Sequence, residues 1–174
     1  DTVDLHYLRE QRLAELEQSA SLAAAAATTR RQELEIIGKA DITLVVSPVE
    51  QELLATEAPG ADVRVLSNIH ELRPAPRPCA EREGLIFVGG FRHPPNVDAV
   101  NWFVGEVWPA VRARLPGVEL SIVGGNMPAA IRDLAVAGVR VLGYVEDIDP
   151  LLDAARISIA PLRYGAGVKG KINQ

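Results

Sequence analysis

Cysteine is nearly missing from this sequence, with Cys79 the single thiol among 174 residues. One thiol builds neither a disulfide framework nor a thiolate metal cluster, and its isolation points to a reducing compartment, so the cytoplasm is the expected location. Histidine is as scarce: His6, His70 and His93 stand far apart with no ligand spacing between any two, and no metal site is expected. Basic residues are outnumbered, 18 against 23 acidic ones, and the net charge of -5 offers nucleic acid no electrostatic footprint. Long apolar runs are lacking too. "SLAAAAA" and "AVAGVRVLGYV" are too short or too interrupted by charge to cross a bilayer, and residues 1–10 lack the basic-then-apolar order of a signal peptide. Membrane association of a longer parent chain stays open.

What is present is enough apolar residue, 48% of the chain, to bury the core of one domain or two small ones. From Tyr7 to Ile37 apolar residues recur three and four apart, which predicts one long amphipathic helix that Gly38 would stop. The alanine run inside it reads as close packing against a neighbour. "ADITLVVSPVEQELL" follows with a β-branched strand over 42–46, Ser47 as N-cap, Pro48 at the first helical position and Glu50 closing a capping box. "VRVLSN" supplies another strand at 63–66, and the proline-rich stretch over 71–84 reads as an interdomain linker.

Beyond the linker, short apolar runs at 85–88, 119–123, 139–142 and 157–160 alternate with helical segments, the signature of a parallel sheet. Val97, Val100, Val104, Val107 and Val111 mark one helix, and Pro128 opens another that Gly138 is expected to close. Right-handed β-α-β crossovers follow, and ligands on such sheets sit at the carboxyl ends of the strands.

Those ends carry the chemistry. In "GGFRHPPN", Gly89 and Gly90 let a backbone approach an anion, Arg92 offers charge, and a helix starting near Asn96 would aim free amides the same way. A tight turn with a solvated arginine explains the same residues. Gly124 and Gly125 are better read as close packing of helix on strand, and "GYVED" as a loop whose backbone is able to read a base edge or merely turn. "PLRYGAGVKGK" is the strongest stretch: Arg163, Gly165, Gly167, Lys169 and Lys171 combine small positions with cations ahead of an expected helix start, a set that suits a diphosphate. At the other end Asp4 and His6 are candidates for an acid/base pair, though an N-cap aspartate and a surface histidine account for them equally.

"FVGGFRHPPNVDAVNWFVGEVWP", "LSIVGG", "VLGYVEDIDPLL" and "ISIAPLRYGAGVKGKINQ" together resemble the donor-binding domain of retaining GT-B glycosyltransferases of family 4, the group 1 transferases. "DTVDLHYLRE", "ADITLVVSPVEQELL" and "VRVLSN" resemble the back half of that family's acceptor-binding domain. The resemblance implies an α/β fold of GT-B type: a Rossmann-like donor half over 85–174, truncated at its C-terminal end, and a partial second Rossmann-like domain over 1–70. It implies an internal piece of a longer enzyme, inactive by itself. The implied reaction moves a sugar from a nucleotide diphosphate sugar to a carbohydrate or small-molecule acceptor with retention at the anomeric carbon, with no metal and no cofactor.

By the same resemblance Gly89 and Gly90 match the turn beside the diphosphate, and Arg92 with Lys169 or Lys171 its cationic contacts. The backbone around Val145 lies where the base is read. Lys169 would act in catalysis by stabilising charge on the departing diphosphate. Gln174 holds the second position of the family's paired-glutamate motif, the one on the donor ribose, while the first position is Ala166, a departure that leaves the sugar undetermined. Two other readings share these features: a GT-B sugar-nucleotide epimerase or hydrolase, and a non-catalytic nucleotide-binding module.

Overall fold

The structure is a computed structural model that describes residues 4–69, 77–168 and 170–172. It is a mixed α/β fold with two parallel sheets and divides into two units: Asp1–His70 with Tyr164–Gly170, and Glu71–Arg163 with Lys171–Gln174.

The first unit opens with a helical hairpin where the sequence predicts one helix. α1 (His6–Leu16) and α2 (Ala20–Lys39) are separated because Gln18 adopts φ 49° and Ser19 caps α2 by accepting from the Leu22 amide. No proline or glycine marks this break. A glutamine in the left-handed region is uncommon, so residue type alone gives no warning. Gly38 stops nothing, since α2 continues through Lys39. Of the alanine run only Ala26 is buried, while Ala23, Ala24, Ala25 and Ala27 are exposed. β1 (Thr43–Val45) then leads into α3 (Pro48–Glu57), whose N-cap is Ser47 with Pro48 in the first turn, and β2 (Val63–Val65) pairs parallel to β1. Leu5, Tyr7, Ile37, Val45 and Leu54 form the core. The Tyr7 hydroxyl donates to Glu57 at 2.7 Å, and burial first, then that carboxylate, hold the phenol protonated well above the usual tyrosine range.

The second unit is a four-stranded parallel sheet in the order β5-β4-β3-β6, with β3 at Glu83–Val88, β4 at Leu120–Val123, β5 at Val139–Gly143 and β6 at Ala155–Ser158. α4 (Pro94–Trp102) runs through a π-helical segment, Phe103–Val107, into α5 (Trp108–Arg114). Pro109 accounts for that segment, because it has no amide to close the preceding α-turn. Phe87, Val100, Phe103, Trp108, Leu120 and Ile122 make up the core between this helical layer and the sheet. The helix opened by Pro128 is short: α6 covers Ala129–Arg132, and Gly138, at φ 77°, turns the chain into β5 and does not end a helix. α7 (Asp149–Ala154) completes the unit, and no described helix is long and apolar enough to cross a membrane.

Candidate functional site

In the second unit β3 and β6 are neighbours although β4 and β5 intervene in sequence. Strand order therefore reverses between them, and the crevice at the carboxyl ends of such a pair is where open α/β sheets hold ligands. The residue after β3 is Gly89. A Cβ there would stand 2.9 Å from Nδ2 of Asn96, and one on Gly124, at φ 152°, would fall 1.9 Å from the Gly89 carbonyl oxygen. Gly124 thus serves close packing of two strand ends. Gly90 differs: the space above it is open, and its amide donates to none of the described residues. Its carbonyl is occupied, accepting from Asn96 Nδ2 at 2.8 Å and from the His93 amide at 3.3 Å.

The helix amides expected beside this turn are largely missing. α4 begins at Pro94, so its first two positions are prolines without N–H groups, and the Asn96 amide donates to the His93 carbonyl at 3.0 Å. Charge comes instead from Lys171, in the short 3-10 turn Gly170–Ile172. Its ammonium donates to Asn96 Oδ1 at 3.0 Å and lies 5.2 Å from the centroid of the Phe87 ring. The turn after β3 and Lys171, 75 residues beyond Asn96, are thus joined through one asparagine side chain.

Arg92 is exposed and makes no ion pair among the described residues. Arg163, which the sequence groups with the other cations, is turned to Asp98 of α4 in a two-pronged pair, Nε to Oδ2 at 3.0 Å and Nη2 to Oδ1. On the other side of the glycine turn a groove of about 440 Å³ runs along the ends of β4 and β5, lined by Gly124, Asn126, Met127, Arg132 and Tyr144 among others. It adjoins the turn directly, since the Phe91 amide donates to the Gly125 carbonyl at 3.0 Å. Val145 is half-buried beyond this groove, and the side chain presented at its mouth is Tyr144, 76% exposed. An aromatic left this open in a β-α loop is the clue that sequence reasoning passed over.

Gly165 and Gly167 belong to the first unit, where the chain grips them. Gly165 has φ 152° and Gly167 φ 67°, so both need glycine's freedom. The Gly167 amide donates to Glu50 Oε1 at 3.0 Å, and Arg12 donates to the Gly165 carbonyl. An amide expected to be free for an anion is therefore held by a protein carboxylate. Glu50 is 2% exposed, and the same oxygen accepts from the Leu5 amide at 3.2 Å.

Asp4 and His6 are near each other without a hydrogen bond: Asp4 Oδ1 and His6 Nε2 are 3.7 Å apart. Asp4 is buried and paired with Arg9, while His6 Nδ1 lies 3.0 Å from Glu33 Oε1. Glu33 also accepts the His6 and Tyr7 amides, so it satisfies the start of α1, the capping role that the sequence offered to Asp4. Among the described residues no three His, Cys, Asp or Glu side chains converge as metal ligands. Lys169 and Gln174 lie outside the described residues.

A protein-family model described as "Glycosyl transferases group 1" matches residues 82–174. No curated protein matches the chain.

Proposed function

The chain belongs to the group 1 glycosyltransferases, and on that premise we propose that its second unit binds a nucleotide diphosphate sugar whose sugar passes to an acceptor with retention. The observation that carries this is the meeting of the Gly89–Gly90 turn and Lys171 at the point where strand order reverses. A diphosphate carries adjacent negative charges that suit a free amide and a fixed ammonium, and the groove beside Tyr144 offers a flat, partly apolar surface for a base. Arg92 supplies a second cation, and Lys169 and Gln174 complete the set in the roles on leaving group and ribose. GT-B architecture belongs to the same reading.

In the reaction the bond between the anomeric carbon and the diphosphate oxygen breaks, with its electron pair leaving on that oxygen. The acceptor hydroxyl oxygen bonds to the anomeric carbon on the same face, and its proton moves to the departing diphosphate. The protein's part is electrostatic: each well-aimed donor stabilises the developing charge by about 3 kcal/mol, and no metal ion takes part.

Calorimetric titration with UDP, GDP and ADP tests the donor site. One of the three should bind, and Lys171→Ala should weaken it about tenfold, the loss of one charge-assisted hydrogen bond, while Lys39→Ala at the end of α2 leaves it unchanged. Equal effects of the two substitutions would remove the assignment. A donor turnover assay then separates transfer from hydrolysis, epimerisation and mere binding.

A further inference from the structure

Asn96 is 5% exposed, in the first turn of a helix, a position where a polar residue ordinarily faces water. Asparagine is also a poor helix former, so propensity does not explain it. Both ends of its amide are used. Nδ2 donates to the Gly90 carbonyl and Oδ1 accepts from Lys171, at 2.8 and 3.0 Å. Gly89 lacks a side chain where one would collide with this amide.

We propose that Asn96 is a positioning residue for the diphosphate: its amide holds the Gly90 carbonyl back from the crevice and sets the Lys171 ammonium beside the same turn. The inference rests on the donor site proposed above. A carbonyl oxygen facing a phosphate would repel it, and the Nδ2 bond prevents that orientation. The neutral Oδ1 fixes the ammonium without cancelling its charge, which a carboxylate at the same distance would do. An amide performs both tasks because it donates at one end and accepts at the other. The face of Phe87, 5.2 Å from the ammonium, supports the lysine from the strand side.

The test is a double-mutant cycle on the full chain with inorganic pyrophosphate as the probe, affinity read by calorimetry and folding by thermal melting. Asn96→Ala should weaken pyrophosphate about fivefold, Lys171→Met by at least as much, and the pair together by clearly less than the product of the two single losses, because the part of the asparagine's effect that acts through the lysine is already gone in Lys171→Met. A purely structural asparagine would lower the melting temperature and add its effect to that of the lysine, which would overturn the inference. Asn96→Asp keeps the shape and covers the case in which the alanine variant fails to fold. It should bind more weakly than the unsubstituted chain, since a carboxylate offsets the ammonium and faces the Gly90 oxygen, and unchanged affinity in this variant would also overturn the role. If Lys171→Met leaves affinity unchanged, or the unsubstituted chain does not bind pyrophosphate, the donor site itself falls and the inference with it. If Lys171→Met weakens binding and neither Asn96 variant does, the site stands and the inference alone is lost.

Discussion

The interior of the second unit is hydrocarbon and indole: Phe87, Trp108, Leu120, Ile122 and Ile131 are each 1% exposed or less and pack in one cluster. In the first unit the tying groups are carboxylates. Glu33 accepts two amides at the start of α1, Glu50 joins the Leu5 and Gly167 amides, and Glu57 takes the Tyr7 hydroxyl and the Arg30 guanidinium. The contrast follows from geometry. A four-stranded parallel sheet offers a broad face on which a helical layer buries apolar area, whereas a two-stranded sheet offers little face, so helix starts and loops are tied by directional bonds. It teaches that two parallel-sheet units in one chain answer to different perturbations: loss of volume harms one, loss of charge or a proton harms the other.

The largest effect that would sharpen this contrast is Trp108→Ala. The indole is 1% exposed and donates to the Ala137 carbonyl at 3.0 Å, so its removal should cost about 3–5 kcal/mol. Hydrogen exchange should lose protection in β3 and β4 and keep it in α1 and α2, and loss spread equally over both units would break the comparison.

Glu50→Gln comes next. The amide keeps the shape and one acceptor but loses the charge that strengthens the bonds from the Leu5 and Gly167 amides, a loss of about 2 kcal/mol. Exchange at Gly167 should quicken more than exchange anywhere in β4. Equal protection in the variant and the unsubstituted chain would show that the carboxylate's charge contributes nothing there.

Tyr7→Phe is the smallest, about 1 kcal/mol at neutral pH, because Glu57 retains Arg30 at 3.2 Å. Its stronger signature is in alkali. The folded phenol titrates above its unfolded value, so its contribution to stability is complete below about pH 10 and is lost as pH rises beyond it, when the unfolded chain releases the proton first. Denaturant titrations at pH 9 and 11 should therefore show a smaller alkaline loss in Tyr7→Phe than in the unsubstituted chain. Identical losses would mean that the phenol does not titrate with folding.

How far the sequence discloses these features depends on whether the determining contact is local. The six strands among the described residues lie within two residues of the expected runs because short apolar runs are local, β6 starting two residues early at Ala155, and the Ser47-Pro48 start of α3 is legible for the same reason. Glu50 is legible only in part. Its spacing from Ser47 suggests a capping box, and the Ser47 hydroxyl does accept the Glu50 amide at 3.2 Å, but the carboxylate is committed to partners 45 and 117 residues away. Asn96 is illegible for the same reason, since nothing in "HPPNVDA" says that a lysine 75 residues on will share its amide. The break at Gln18 defeats pattern reading differently: apolar spacing survives across it, and only the backbone angle interrupts the helix.

The pairing of β3 with β6 also has a consequence in time. β3 ends at Val88, β4 begins at Leu120 and β5 at Val139, whereas the strand that pairs with the other edge of β3, β6, begins only at Ala155. This pairing has the largest sequence separation in the sheet, so of its strand pairings it adds most to contact order. Gly90 and Lys171 lie on its two sides. A chain with β3, β4 and β5 in place and β6 detached would hold a folded hydrophobic layer and no paired amide and ammonium, so under the proposed function a bound diphosphate would slow the reopening of this seam.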